Sequence, residues 1–334
     1  MSSSTDFEGG PEKAFLRRNW DLPLIEEHQT SIGRRLRYFG MPGPGIEDLI
    51  DWEAEVEHVA AVELLREHSE FEADDKDRLR RLDNSLLQHG VDYQLLRGWV
   101  EQVLIYGHDA HKQVPHYRDN TDPSIVRFRY DLVNLDFCGG AGYGMTPSGR
   151  PTRIRALQEL FRRQQGISFL LLLTINVRDT IDRALTAYLR DLRADVAGPL
   201  KGTLDWYADC GKGMKKYRLK TAIPAFIQRA AESECFDVQC LPPIAYAGTN
   251  AVMVHFAFRC KPTQAQLHSV SSQRLADIIG LPLLTGTKDS ISIAGMQHDG
   301  FDWQACHDRL VHVPPAFVQS LQAQAKARMG GKAA

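Results

Sequence analysis

Two stretches of this chain are almost wholly apolar, and they end alike. Tyr130-Asp-Leu-Val-Asn-Leu-Asp136-Phe-Cys-Gly-Gly140 runs into a carboxylate and a glycine turn, and Phe169-Leu-Leu-Leu-Leu-Thr-Ile-Asn-Val177 runs into Arg178-Asp179. Short apolar runs bounded by turn signals read as strands buried on both faces, the kind found in parallel sheets. Between them, Thr152 to Gln165 has the pattern of an amphipathic helix. Strand, helix and strand in this order predict a βαβ unit, hence a parallel sheet with helices on both faces. Side-chain alternation then puts Val133 and Leu135 on one face of the first strand, and Leu132 and Asn134 on the other. The run from Phe169 to Ile175 is its expected neighbour. In such sheets ligands bind at the carboxyl ends of the strands, which places Asp136 and the glycines after it at the rim of a site.

Upstream, weaker versions of the same pattern recur. A short helix is predicted from Leu22 to about Leu36. Arg37-Tyr-Phe-Gly40 reads as a strand, followed by a glycine/proline loop and a helix start near Trp52. Val59 to Glu63 is a second strand ending in a carboxylate, Asp74 to Leu87 a charged helix, and Asp92 to Gly98 a third strand leading into a helix from Trp99 to Tyr106. Downstream, helices are predicted from Thr180 to about Asp195 and from Leu219 to Glu234. Phe236 to Leu241 and Asn250 to Arg259 alternate apolar and polar residues around Pro242-Pro243 and Gly248, which predicts an antiparallel pair. From Pro262 the pattern weakens into small polar segments and a short helix with a basic tail. The expected organisation is a disordered tail at 1–12, one α/β domain at 13–261 and a C-terminal extension at 262–334.

Composition narrows the function classes. At 334 residues, with 43% hydrophobic and 25% charged positions, the chain has the make-up of an ordinary globular protein. Its longest apolar run is too short to cross a bilayer, and the first residues lack the basic start and apolar core of a signal peptide. A cytoplasmic location with no membrane association is the expectation. A formal net charge of −2 gives no general attraction for nucleic acid, so any such binding needs a local patch. The six cysteines include no Cys-x-x-Cys pair, which argues for reduced, mostly buried thiols.

The order of five βα steps followed by an antiparallel pair resembles the class I S-adenosylmethionine-dependent methyltransferases, whose fold is a Rossmann-like, mostly parallel seven-stranded sheet with one inserted antiparallel strand. The resemblance spans roughly residues 30 to 260. It implies an S-adenosylmethionine site in which Gly40, Gly43 and Gly45 form the glycine loop after the first strand. Glu63 would hold the cofactor's ribose hydroxyls, and Gly98 with Trp99 would line its adenine. Asp136 stands where the family places polar groups near the methyl donor and acceptor, and is the expected catalytic residue. The chain departs from the family in carrying Pro42 and Pro44 in the loop and in lacking an acidic residue just before Gly40. It also lacks the Asn/Asp-Pro-Pro-Tyr signature of amino-group methyltransferases acting on DNA and RNA. A looser similarity, to methyltransferase-like proteins of bacterial defence gene clusters, implies protein partners in a complex.

Other clusters carry candidate chemistry of their own. Lys212, Lys215, Lys216, Arg218 and Lys220, interleaved with Tyr207 and Tyr217, form the one concentrated basic run, a composition suited to nucleic-acid backbone or another anion. Its plain alternative is a solvated helix start. His108, Asp109, His111 and His116 lack a second ligand cluster, so no metal is expected. Cys138 and the Cys306-His307 pair read as thiols without an activating partner. Two function classes remain open: methyl transfer from S-adenosylmethionine, and a catalytically silent binding or scaffold subunit on the same fold. A dinucleotide or nucleotide-sugar enzyme is disfavoured by the missing Gly-x-Gly-x-x-Gly spacing.

Overall fold

The structure, a computed structural model, describes residues 10–63, 72–106, 128–137, 153–177, 215–248, 252–264, 277–278, 281, 283–289 and 291–294. The chain enters through α1 (Pro11–Leu16), one π-helical turn (Arg17–Asp21) and α2 (Leu22–Ile32). Pro11 opens α1 where its missing N–H matters least, and Gly33 at φ 77° ends α2 in the left-handed conformation that glycine adopts without strain. The helix therefore begins inside the segment expected to be disordered and stops short of Leu36.

Five parallel steps follow. They are β1 (Leu36–Gly40), α3 (Glu47–Asp51), β2 (Val56–Glu63), α4 (Glu72–His89), β3 (Asp92–Arg97), α5 (Val100–Tyr106), β4 (Leu132–Phe137), α6 (Arg153–Arg163) and β5 (Phe169–Asn176). Next come α7 (Lys215–Ser233), β6 (Phe236–Cys240), β7 (Ile244–Ala247) and β8 (Val252–Pro262). The strands pair in the order β3-β2-β1-β4-β5-β8, with β1 to β5 parallel and β8 antiparallel to β5. Both β6 and β7 pair with β8 along the same flank, one after the other. Leu241-Pro242-Pro243 separates them, because a proline offers no N–H to a ladder. The fold is Rossmann-like, as the resemblance implies, and β8 is the expected antiparallel insertion.

The sheet is larger than the seven strands expected. β7 forms in the stretch expected only to separate the antiparallel pair, β9 (Leu283–Gly286) pairs parallel with β7, and β10 (Ile291–Ala294) pairs antiparallel with β9, giving ten strands in one sheet. The region after Pro262 therefore contributes strands where small polar segments were expected. Two four-residue strands among Gly, Ser and Thr leave too short a period to detect.

Each face of the sheet carries its own core. One face packs Val133, Leu135, Phe137, Leu171 and Leu173 against α5, α6 and α7, with Phe161, Phe169 and Phe236 forming a ring cluster at centroid distances of 5.5–5.7 Å. The other packs Leu132, Leu170, Leu172 and Tyr38 against Leu16, Trp20, Leu24, Leu49, Trp52, Leu82 and Leu86 from the first four helices. The alternation expected for β4 is present, and β5 is its neighbour. Among the described residues no helix is long and apolar enough to cross a membrane. The predicted helix at Thr180–Asp195 lies outside the described residues.

Candidate active site

Strand order reverses between β1 and β4, each paired with the other and leading away in opposite directions. At such a switch point the loops diverge and leave a crevice at the carboxyl ends. The parallel register brings Gly40, Glu63, Arg97 with Gly98, and Asp136 to that one edge. Of the residues expected to form a site, Gly40, Gly43, Gly45, Glu63, Gly98, Trp99 and Asp136 are thus all carried by the same edge.

Gly40 ends β1 against the backbone of β4. A Cβ there would lie 2.4 Å from the Asn134 carbonyl oxygen and 2.5 Å from the Tyr38 hydroxyl, so only glycine fits. Gly43 has φ 70°, and a Cβ on it would meet nothing within 4 Å. The turn therefore bends through a left-handed glycine with open space beside it, which suits the backbone-lined cradle a cofactor requires. Ile46, entering α3 at φ 46°, is a β-branched residue in the same unfavourable region, buried at 2% exposure. Strain of that kind persists only where packing enforces it.

Glu63 ends β2 at the same edge. It is buried, at 6% exposure, and Arg78 of α4 approaches its Oε1 at 3.3 Å. The Gly98 N–H donates to the Glu63 carbonyl at 3.0 Å, tying the tips of β2 and β3 together. Trp99 is half-buried beside them. On the far wall, Arg153 at the start of α6 pairs with Glu101 at 2.9 Å, both buried, and its guanidinium lies 4.5 Å from the Phe137 ring centroid.

The face of the sheet toward α1 holds a polar chain that the sequence did not announce. Tyr38 Oη and Asn134 Nδ2 both donate to Asp48 Oδ2, at 2.8 and 2.9 Å, and the Leu49 N–H donates to the other oxygen at 3.0 Å. All three side chains of this group are buried. Asp136 lies two residues beyond Asn134 on the same face, and the Lys13 ammonium of α1 pairs with its Oδ2. Across the next strands the register continues from Asp136 to Thr174 to His255. Thr174 Oγ1 lies 2.9 Å from His255 Nδ1, and His255 Nε2 lies 2.8 Å from Asp21 Oδ1, all buried. Tyr246 of β7 completes the row through Thr174.

Charge is balanced from the amino-terminal segment. Arg17 reaches Glu47 at 2.7 Å and Asp51 at 2.9 Å, which fastens the π-helical turn to α3. Burial alone would lower the Lys13 pKa, yet the charge and hydrogen bond of Asp136, helped by Asp48, hold it above the ordinary lysine value. Burial pushes the phenols of Tyr38 and Tyr246 well up, the first reinforced by Asp48 and the second by Asp136 and Asp21. The Tyr38 phenol thus keeps the proton that it donates to Asp48.

The basic run is only partly visible. Lys212 lies outside the described residues, and Lys215, Lys216 and Arg218 fall in the first turn of α7, where the backbone alone is described. Lys220 is a correction: at 1% exposure it is buried in α7 and cannot belong to a surface patch. His108, Asp109, His111, His116, Cys138 and Cys306 lie outside the described residues. Among the described residues no group of three or more His, Cys, Asp or Glu is placed to hold a metal ion.

No protein-family model matches the sequence, and no curated protein matches it. Among solved structures, the chain is similar to Trm1 from Pyrococcus horikoshii in complex with S-adenosyl-L-methionine, at 12% identity and TM-score 0.42, over 77% of this chain and 57% of that one. An arsenic(III) S-adenosylmethionine methyltransferase from Chlamydomonas reinhardtii matches at 12% identity and TM-score 0.33, over 70% of this chain and 65% of that one. The chain thus spans less than two thirds of the length of either protein. Magnesium protoporphyrin IX methyltransferase from Synechocystis PCC 6803, with bound SAH, matches at 9% identity and TM-score 0.35, over 78% and 90%.

Proposed function

We propose that this chain is an S-adenosylmethionine-dependent methyltransferase. The observation that carries the reading is the β1/β4 switch point, where one edge of the sheet holds the Gly40–Gly45 turn, the Glu63 carboxylate, Gly98 with Trp99, and Asp136. When bound, the cofactor supplies an electrophilic methyl group. The chain's own residues bind and orient. The turn at Gly43 lets backbone approach a nucleoside closely, and Glu63, oriented by Arg78, accepts hydrogen bonds from ribose hydroxyls. Trp99 offers a flat face to the base. Asp136 positions an acceptor and takes its proton. Holding two reactants in line contributes on the order of 7–11 kcal/mol, so positioning alone accounts for much of such a rate.

The basic side chains Lys212, Lys215, Lys216 and Arg218 favour an acceptor that is a nucleic acid or is bound to one. Charge reversal at Lys215 and Lys216 should then weaken nucleic-acid binding and flatten its salt dependence. Unchanged binding would remove the run from the argument. Calorimetry with S-adenosylmethionine and S-adenosylhomocysteine tests the main reading: clear binding of both supports it, and silence overturns it.

One observation favours a second reading. Asp136, the residue expected to act on the acceptor, is already ion-paired with Lys13. A silent methyltransferase-like subunit of a larger assembly, including one serving phage defence, would keep the fold with its carboxylate sealed. Silence in calorimetry, together with stable capture of a partner protein by the full chain, would favour it.

A further inference from the structure

We propose that Lys13 is a built-in counterion of Asp136 that gives way to the positive charge of the incoming methyl sulfonium, so that the site senses the charge that separates donor from demethylated product. This rests on the methyltransferase reading.

The argument starts from what Lys13 contacts. Its ammonium pairs with Asp136 at the tip of β4, with side-chain exposures of 30% and 18%. Asp48, buried behind Tyr38 and Asn134, adds a second negative charge that favours the ammonium. The neighbouring cation, Arg17, is committed to Glu47 and Asp51. Among the described residues, Lys13 is thus the side chain that neutralises Asp136.

Its mounting allows it to leave. Leu16, three residues on, is 2% exposed and anchors α1 in the core. The lysine stem has several rotatable bonds and reaches partial solvent, so the ammonium can swing out while the helix stays. A part-buried carboxylate left without a cation is unfavourable, however. Whatever displaces Lys13 must bring positive charge. S-adenosylmethionine carries a sulfonium and S-adenosylhomocysteine does not, although the two share nucleoside and amino-acid parts. A neutral ligand gains nothing by displacing Lys13, whereas a cationic one competes with it.

The test is calorimetry of both ligands on the full chain, the parent against Lys13→Gln, Lys13→Met and Lys13→Arg. The attraction between Lys13 and Asp136 that a cationic ligand must replace, at an effective dielectric of about 20 and screened by solvent at a part-exposed lysine, sets the expected change at roughly tenfold in affinity. Lys13→Gln should therefore raise the affinity for S-adenosylmethionine relative to S-adenosylhomocysteine by about tenfold, and Lys13→Arg should leave the ratio near the parent's. Lys13→Met keeps an unbranched stem and drops the ammonium, so it repeats the measurement should the Gln variant fold poorly. Equal ratios in parent and neutral variants overturn it and leave the methyltransferase reading intact. Absence of binding in every variant overturns both.

Discussion

Gly40→Ala tests the geometry on which the switch point depends. The added Cβ would sit 2.4 Å from the Asn134 carbonyl oxygen, about an ångström closer than ordinary contact, and that oxygen is backbone of the paired strand. Moving β4 away stretches the 3.3 Å hydrogen bond from the Met41 N–H to the same oxygen. The second obstacle, the Tyr38 hydroxyl at 2.5 Å, is held by its bond to Asp48, so rotating the ring away leaves a buried donor and acceptor apart. Overpacking a well-filled interior costs about 1–3 kcal/mol, and an unsatisfied buried polar group about 1–3 kcal/mol more. A loss of about 2–5 kcal/mol is expected, a large share of the roughly 5–15 kcal/mol that holds a typical domain together. Urea denaturation of parent, Gly40→Ala and Gly43→Ala reads it. Gly43 has a left-handed backbone but open space, so alanine there should cost only about 1–2 kcal/mol. If Gly40→Ala proves as stable as the parent, or loses less than Gly43→Ala, β1 and β4 do not approach as described.

Three further outcomes follow from the same geometry. Glu63→Ala should weaken S-adenosylmethionine binding roughly ten- to several-hundred-fold, one or two charge-assisted bonds being worth about 1.5–3 kcal/mol each; calorimetry showing parental affinity would sink that role. Because Glu63 is buried against Arg78, the variant should also lose about 1–3 kcal/mol in urea, unlike a simple surface carboxylate. Asp48→Ala strips the acceptor from the Tyr38 hydroxyl and the Asn134 amide, so chemical denaturation should show a loss of about 2–4 kcal/mol, and a loss within error of zero would mean that the cluster is wet or rearranged. Stability should fall as pH rises: Tyr38 and Tyr246 have folded pKa values raised above 10.0, and Cys260 above 9.0, so the unfolded chain sheds protons there that the folded chain keeps. Lys13, raised above 10.5 by Asp136 despite its burial, acts in the same direction. Urea midpoints that stay level between pH 8 and 11 would contradict the burial of these groups.

Much of the frame was legible because its signals are local. The five apolar residues Phe169–Leu173 demand burial on both faces, and the Leu132–Phe137 run repeats the demand, so a parallel pair was the economical solution. The alternation in Val252–Pro262 marked an antiparallel strand, and Pro242-Pro243 marked the break before it. β7, β9 and β10 leave no legible signal because each is four residues long and draws its stability from a paired strand rather than from its own pattern. Lys220 misled for a related reason. A basic run looks continuous in sequence, but a helix turns successive residues to different faces, and position 220 turns inward with Leu219 and Ile223.

The rim of the site could be read from strand ends, whereas its floor could not. Gly40, Glu63, Gly98 and Asp136 are marked by where a strand stops, and strand ends are visible in the sequence. Tyr38, Asn134, Thr174 and His255 sit inside strands, and the signal available for them was a polar residue interrupting an apolar run. That signal says only that a buried partner must exist, since a buried polar group without one is costly. It cannot say which partner. Asp48 comes from α3, and Asp21 and Lys13 come from a segment more than a hundred residues before β4; no spacing rule links them. The amino-terminal segment therefore has a role its composition conceals. It supplies Lys13 to Asp136, Arg17 to α3 and Asp21 to His255, so one short stretch closes three polar contacts across the candidate site. Truncating residues 1–21 would remove all three and expose Leu24 and Ile25 of α2 beside them. A chain so shortened should expose a hydrophobic face and lose the ordered carboxyl edge together, whereas point changes at Lys13 alter the charge of that edge and leave the fold in place.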